Sequence, residues 1–217
     1  MRSYGEFCAM AKALDVVGDR WTLLIVRELA LRGACRYTDV RNGLPGIASN
    51  LLAERLRQLE SAGVIAREDA PPPVATTLFR LTPRGERLRP VLDELLRWGL
   101  PLMAEPAPDD AVRSHWLAGA VEFMLTDREP GGAPVTLELQ TGDEPIVVET
   151  RDGGIRSRLG HAEAADATLA GPAQPILGLL LGMIGLAEAR VGGVELTGDP
   201  AVLERIGASG EISPAGR

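Results

Sequence analysis

In the first half of the chain, apolar residues recur every three or four positions, which predicts amphipathic helices. The predicted helices are 8–17, 20–31, 37–42, 49–62 and 83–103. Asp19 is expected to cap the second helix, and Pro90 to kink the last one because proline has no backbone donor. Before that last helix, residues 64–67 and 77–81 predict two strands, joined by a loop that contains three prolines at 71–73.

This order of helix, helix, short helix, turn, helix, hairpin and helix predicts a winged helix-turn-helix. Leu52, Leu56 and Leu59 are expected to face the core, which leaves the opposite side of the 49–62 helix exposed. A short helix and a longer one, joined by a tight Gly/Pro turn, allow the longer helix to lie in the major groove of DNA, about 12 Å wide. The hairpin would then reach flanking phosphates or the minor groove.

The second half of the chain predicts an α+β domain. Residues 110–125 have helical spacing. Four apolar or alternating runs separated by turn residues predict an antiparallel meander, and they are 134–139, 145–149, 154–159 and 167–169. A very apolar helix is predicted over 175–187, followed by a strand at 194–199 and a closing helix at 200–206. The apolar helix is either packed on every side within the core, or its glycines leave room for an apolar guest.

Charge divides the chain near the same place as these patterns. The 217 residues carry a formal charge of −7, of which residues 1–104 contribute +3 and residues 105–217 contribute −10. We therefore expect one module that faces a polyanion and one that does not. The expected organisation is a DNA-binding and dimerisation domain at 1–104, a Pro-rich linker at 105–110, an α+β domain at 111–207 and a flexible tail at 208–217.

Several classes of protein are disfavoured by the same sequence. No run reaches about 18 uncharged apolar residues, and two cysteines cannot form a disulfide framework, so we expect a cytoplasmic chain with no membrane span. His115 and His161 lack a second ligand at zinc spacing and are expected at the surface. Because no nucleophile, phosphate-binding or dinucleotide motif is present, we expect neither an enzyme nor a cofactor.

Four motifs in order resemble the HxlR-type bacterial transcriptional regulators. They are ALDVVGDRWTLLI at 13–25, LPGI at 44–47, RLRQLE at 55–60 and LTPRG at 81–85, and the resemblance extends over residues 8–100. It implies a homodimer that holds two winged helices over palindromic double-stranded DNA. The dimer contact is implied around residues 4–14 and 86–103.

Candidate DNA contacts follow from the expected docking of the 49–62 helix. Its first residues are expected to meet base edges or a thymine methyl, whereas the arginines are expected to reach phosphates. The candidates are Arg36, Thr38, Arg41, Ser49, Asn50, Ala53, Arg57, Arg67 and Arg80. Arg55 is a further phosphate candidate, unless it pairs with Glu54 or Glu60. Thr76 stands where related chains often carry an arginine, and with the prolines this disfavours deep insertion of the wing.

Cys8 matches a cysteine that many HxlR-type regulators carry at the head of the first helix, and in some of them it senses oxidants. The resemblance therefore implies Cys8 as a redox candidate, and a helix N-terminus stabilises a thiolate. The alternative is that Cys8 is a small buried apolar residue.

The second half resembles the sterol-carrier-protein-like domains at residues 165–171, 181–182 and 192–200, within 110–207. The resemblance implies an α+β fold that encloses a tunnel for apolar molecules, and the same shape also serves as a dimerisation module. The candidate ligand-binding residues are Trp116, Phe123, Leu177, Leu180, Leu181 and Ile184.

The sequence thus predicts a dimeric DNA-binding regulator with a C-terminal domain for an apolar small-molecule effector. Typical coupling between an effector site and DNA affinity is about 1–3 kcal/mol. One alternative is a regulator that responds to oxidation of Cys8, in which the C-terminal domain only dimerises. Another is a lipid carrier in which the winged helix is vestigial.

Overall fold

The computed structural model describes residues 3–70, 76–104 and 110–208. The chain divides into two compact units, Met1–Trp98 and Gly99–Arg217, and each has its own apolar core. The loop prolines at 71–73, most of the expected linker (105–109) and most of the expected tail (209–217) lie outside the described residues. In the part of the chain that is described, no helix combines the length and apolar character needed to cross a membrane.

The first unit, over its described residues, combines helices with a small antiparallel sheet. The helices are α1 (Ala9–Val17), α2 (Thr22–Arg32), α3 (Tyr37–Asn42), α4 (Ser49–Ser61), α5 (Pro83–Glu86) and α6 (Arg89–Gly99). The strands are β1 (Cys35–Arg36), β2 (Ile65–Asp69) and β3 (Thr77–Leu81), and they lie in the order β1-β3-β2. This is a winged helix-turn-helix, as the sequence predicts, with β1 as an unpredicted addition.

Helix α4 is fixed in the first unit by its apolar side. Leu52, Leu56 and Leu59 are each no more than 2% exposed and belong to the same core as Ile25 and Leu29 of α2. Burial of one such side chain stabilises the fold by about 1.5–3 kcal/mol. The inward face of α4 is therefore the one that its apolar spacing predicts.

The single kinked helix predicted over 83–103 is wrong. Helix α5 ends at Glu86, α6 begins at Arg89, and a 3-10 turn follows at Leu100–Ala104. Pro90 is the second residue of α6, where its missing N–H leaves no helical bond unmade, whereas its ring would clash with the Glu86 carbonyl in a continuous helix. Proline therefore divides the helix rather than bending it.

Two glycines allow close approaches that fix the turns beside α4 and the hairpin. A Cβ on Gly85 would lie 2.1 Å from the carbonyl oxygen of Val64, so α5 can rest against the start of the hairpin only with glycine there. A Cβ on Gly43 would lie 1.8 Å from Oε2 of Glu28, a fully buried carboxylate that pairs with Arg27 at 2.8 Å. The turn that leads into α4 is thus packed directly against a buried charged group.

The second unit, again over its described residues, is an α+β fold. After the 3-10 turn, its helices are α7 (Ser114–Met124), α8 (Ala173–Leu180), α9 (Leu186–Val191) and α10 (Ala201–Arg205). Its strands are β4 (Leu125–Asp127), β5 (Thr136–Gln140), β6 (Ile146–Arg151), β7 (Gly154–Leu159), β8 (Ala167–Ala170), β9 (Glu195–Gly198) and β10 (Ile206–Ala208). Five strands form one sheet in the order β7-β6-β5-β8-β9, and β4 pairs with β10.

The antiparallel meander predicted for this sheet is correct only for β5, β6 and β7. Strand β8 pairs with β5 in parallel, so the sheet is mixed. Asp166, just before β8, accepts a hydrogen bond from the Thr136 N–H at 2.7 Å, and its own N–H donates to the Thr136 carbonyl at 2.9 Å. These two bonds align the first residues of β5 and β8 side by side.

The continuous apolar helix predicted over 175–187 is also wrong. The N–H groups of Met183 and Ile184 both donate to the Gly178 carbonyl, at 2.8 and 3.2 Å, and α8 ends at Leu180. Gly182 takes a φ of +68°, in the left-handed region that favours glycine and commonly ends helices. The chain therefore turns here before α9 begins.

The two histidines lie in different environments. His115 follows the buried Ser114 at the start of α7 and is only 4% exposed, so its predicted surface position is wrong. His161 is exposed, as predicted. The expected tail also begins one residue too early, because Ala208 pairs with Leu125 in the β4–β10 ladder.

Candidate nucleic-acid interface

The first turn of α4 presents short polar side chains to solvent. Ser49 and Asn50 are exposed, and Ala53 one turn later is half-buried. The Tyr37 hydroxyl donates to the Ser49 carbonyl at 2.7 Å, which joins α3 to the start of α4. Thr38 is exposed on the same short helix. Hydroxyl and amide groups held on a rigid helix end can donate to and accept from base edges.

Three of the five candidate DNA-contact arginines already have carboxylate partners within their own unit. Arg57 pairs with Glu54 at 2.6 Å, Arg67 with Glu60 at 3.0 Å and Arg80 with Glu68 at 2.7 Å. Arg36 and Arg41 are exposed and have no ion pair among the described residues. Exposed pairs of this kind are each worth about 0–1 kcal/mol, but they cancel much of the positive potential of this surface.

The wing is a regular hairpin with nearly balanced charge. Strands β2 and β3 pair from Ile65 opposite Leu81 to Asp69 opposite Thr77. The Arg67 guanidinium lies over the Phe79 ring, 5.4 Å from its centroid, in addition to its carboxylate partner. Cation–π contact holds that guanidinium against the sheet.

Arg55 has a partner that the sequence analysis missed. Its guanidinium pairs with Asp19 at 2.7 Å and donates to Gln58 at 2.6 Å, in place of the expected Glu54 or Glu60. Asp19 does not cap α2 as expected, since that helix begins at Thr22 and Asp19 Oδ1 accepts from the Trp21 N–H. The two residues are 36 positions apart, so no local spacing could have signalled the pair.

Two helices of the first unit expose apolar side chains. Around α1 these are Tyr4, Phe7, Met10 and Leu14, and on α6 they are Val91, Leu95 and Trp98. Phe7 is fully exposed and Trp98 is 73% exposed. Both sets fall in the segments that the family resemblance implies for a dimer contact.

The two free cysteines differ in accessibility. Cys8 is exposed at the N-cap of α1, whereas Cys35 is buried, and burial raises the pKa of the Cys35 thiol to about 11. Cys35 is therefore a neutral thiol near pH 7. Within the described ranges, no group of three or more His, Cys, Asp or Glu side chains is arranged to hold a metal ion.

The candidate ligand-binding residues of the second unit do not share one environment. Leu180 is buried in the core, and Leu177, Leu181 and Ile184 pack against that core half-buried. Trp116 and Phe123 are half-buried on α7, outside the core cluster. A Cβ on Gly178 would lie 3.2 Å from Ile184 Cγ1, so the space expected beside that glycine is filled by Ile184.

The first half of the chain is similar to known transcriptional regulators. The model of the HxlR-like helix-turn-helix family matches residues 16–106. YvaP of Bacillus subtilis, named as an HTH-type transcriptional regulator, is 37% identical over 94 residues, which are 43% of this chain and 86% of YvaP. The transcriptional regulator YodB of the same species is 32% identical over 89 residues, which are 41% of this chain and 79% of YodB. A solved structure of reduced YodB aligns with 47% of this chain and 99% of its own, at 29% identity and a TM-score of 0.40.

These relatives are transcriptional regulators and not enzymes, which confirms the prediction of a non-enzymatic chain. Their similarity covers the unit in which the winged helix-turn-helix has been described. With most of YvaP matched at 37% identity, the chain belongs to the HxlR-like helix-turn-helix family of transcriptional regulators.

Proposed function

We propose that this regulator acts as a homodimer and binds a palindromic operator with α4 in the major groove. The observation that carries the proposal is the two-sided character of α4. Leu52, Leu56 and Leu59 hold one side in the core, while Ser49 and Asn50 are exposed to solvent at the first turn. Two such helices related by a dimer axis meet half-sites about one DNA turn, roughly 10 base pairs, apart.

The contacts divide by chemistry into base-edge and phosphate groups. Ser49 and Asn50 hydrogen-bond to base edges, and Ala53 offers a methyl surface to thymine. Arg36, Thr38 and Arg41 contact phosphates beside the groove, because they lie on or next to the short helix joined to α4 through Tyr37. Further phosphate contacts come from Arg57, Arg67 and Arg80 only where phosphate displaces the carboxylate partners of these arginines.

Dimerisation through α1 and α6 is supported by the apolar side chains that they expose. Monomeric proteins rarely leave a large contiguous apolar surface in water. We expect Trp98→Glu to shift the protein toward monomer in sedimentation analysis and to weaken operator binding. Val191→Glu is the control, since Val191 is 90% exposed but lies in the second unit. Monomerisation by Val191→Glu alone would instead favour a dimer built by the second unit.

Selection of DNA from a genomic library, followed by affinity measurements on single variants, tests operator recognition. Asn50→Ala is expected to weaken operator binding by about 1–3 kcal/mol and to relax the preference at one base position. Ser61→Ala, an exposed polar residue at the other end of α4, is the control and is expected to bind as the unaltered chain does. Failure to recover any preferred sequence would reject the proposal, and a co-purified apolar compound would then favour the lipid-carrier alternative.

An apolar effector of the second unit is the regulatory part of the proposal. It is supported by the sterol-carrier-like segments and by the predominantly apolar α8. Because Ile184 fills the space beside Gly178, a guest must displace that side chain to lie against this glycine of α8. Native mass spectrometry of the purified protein should detect a bound apolar compound, and Ile184→Ala should retain more of it. Absence of any bound mass in both forms would reject this part.

Oxidation of Cys8 is a second candidate signal, favoured by its exposure at the N-cap of α1. Peroxide oxidises an accessible cysteine to a sulfenic acid and is itself reduced to water. This alternative predicts that peroxide weakens DNA binding by the unaltered chain and leaves Cys8→Ser unaffected. Equal binding by both proteins before and after peroxide would exclude it.

A further inference from the structure

The pair of Asp19 and Arg55 connects two elements of the first unit that are distant in sequence. Asp19 lies in the turn between α1 and α2, one residue after Gly18 ends α1. Its Oδ2 meets the Arg55 Nη2 at 2.7 Å, while Oδ1 accepts from the Trp21 N–H at 3.1 Å and its carbonyl from the Thr22 N–H. One residue thereby holds both the start of α2 and a side chain from the middle of α4.

Arg55 is also joined to the exposed side of its own helix. Its Nη1 donates to Gln58 Oε1 at 2.6 Å, and Gln58 Nε2 donates to Glu54 Oε1 at 2.7 Å. Glu54 in turn pairs with Arg57 at 2.6 Å. This chain of contacts runs from the α1–α2 turn to Arg57, one of the candidate DNA contacts. The Arg55 side chain is only 20% exposed and its Nε is fully buried. Arg55 is therefore held in place and is not extended toward solvent.

The space beside this pair is not filled by apolar packing. An open depression of about 470 Å³ lies next to it, lined by Leu14 and Val16 of α1 and by Arg55 and Gln58 of α4. Next to this depression, the ion pair of Asp19 and Arg55 links the end of α1 to α4. Removal of the contact therefore leaves α4 held by its leucine side and by the Tyr37 hydrogen bond at its first turn, and freer to shift on the side next to α1.

We propose that Arg55 is a positioning residue for DNA recognition and not a phosphate ligand. Through Asp19 it fixes the orientation of α4 relative to the end of α1, the helix whose apolar side we assign to the dimer. The inference rests on the proposed operator binding. It adds Arg55 as a residue that affects DNA binding through its contact with Asp19 and not by a contact with DNA.

The sign of one substitution separates the two roles. Asp19→Asn removes a negative charge and with it the ion pair of Arg55, so a phosphate-binding Arg55 would give tighter DNA binding. A positioning Arg55 gives weaker binding, by roughly five- to twentyfold, at the lower end of typical coupling between sites. Asparagine keeps the Oδ1 acceptor for the Trp21 N–H, so the variant tests the ion pair itself.

The experiment measures operator affinity from 50 to 200 mM salt for the full chain and its variants. Both Asp19→Asn and Arg55→Met are expected to weaken binding with an unchanged salt slope, and the double variant to be no weaker than the worse single. Arg55→Lys, which keeps the charge pair, is expected to bind nearly as the unaltered chain does. Glu68→Gln, which opens the separate Arg80 pair, is the control and should bind as tightly or more tightly.

Three results overturn the inference. The first is tighter binding by Asp19→Asn. The second is a slope of log affinity against log salt that becomes less steep by about 0.9 for each Arg55 removed. The third is additive losses in the double variant. Melting curves accompany each measurement. If Asp19→Asn lowers the melting temperature strongly, the comparison of Arg55→Lys with Arg55→Met decides, since equal losses in those two reject the charge pair. If the unaltered chain selects no DNA sequence, the proposed function fails and this inference falls with it.

Discussion

The salt dependence of operator binding can be calculated from the ion pairs of the candidate interface. Each phosphate neutralised by a protein cation releases counterions and adds about −0.9 to the slope of log affinity against log salt. An arginine that must leave a carboxylate to reach phosphate adds little, because the carboxylate then recruits a cation from solution. Arg57, Arg67 and Arg80 are of this kind.

Arg36 and Arg41 remain as cations without an ion pair among the described residues. Two per chain and four per dimer give an expected slope of about −3.6, so affinity should fall roughly 150-fold between 50 and 200 mM salt. If all five candidate arginines of each chain bound phosphate as free cations, the slope would be about −9 and the loss on the order of 10⁵-fold. The two cases differ by far more than the error of a titration.

Fluorescence anisotropy of a labelled operator fragment at four or five salt concentrations measures this slope. Arg41→Met should make the slope less steep by about 1.8 per dimer. Arg80→Met is the matched control, because Arg80 already has an ion pair. It should change the slope by much less. A slope near −9 in the unaltered chain, or equal effects of the two variants, would refute the reasoning from ion pairs.

Three further expectations concern stability and reactivity. Gly85→Ala places a Cβ against the carbonyl at the start of β2 and should cost about 2 kcal/mol or more in denaturant unfolding. Arg205→Met leaves the buried Asp127 carboxylate without its partner at 2.8 Å and should lower the melting temperature by roughly 10 °C. Because hydrogen bonds from Arg205 lower the pKa of Asp127, that stabilisation is present above about pH 4 and is lost as pH falls through the lowered pKa. A thiol reagent at pH 8 should modify Cys8 quickly and Cys35 only after unfolding.

The winged helix could be predicted because its information is local. Apolar spacing placed Leu52, Leu56 and Leu59 on the inner side of α4, and they are buried there. The errors arise where contacts between segments distant in the sequence determine the local structure. Whether β8 pairs in parallel with β5 is settled by Asp166 and Thr136, which are far apart in the chain.

Two further failures concern glycine and charge. In the sequence, Gly182 is only one small residue within an apolar run. Its left-handed conformation, seen in the structure, shows that it ends α8. Arg55 has the acidic residues Glu54 and Glu60 nearby on its own helix, yet it pairs with Asp19 from another turn. Local pairs are easy to propose from spacing, whereas a contact between elements depends on how their apolar sides pack.

The most direct test of the account is a footprint of the full chain on the DNA fragment that it selects. We predict a protected region with dyad symmetry, in which two half-sites lie about one helical turn apart. A protected region without dyad symmetry would contradict the dimer with paired α4 helices, and uniform weak protection along the fragment would contradict sequence recognition by α4.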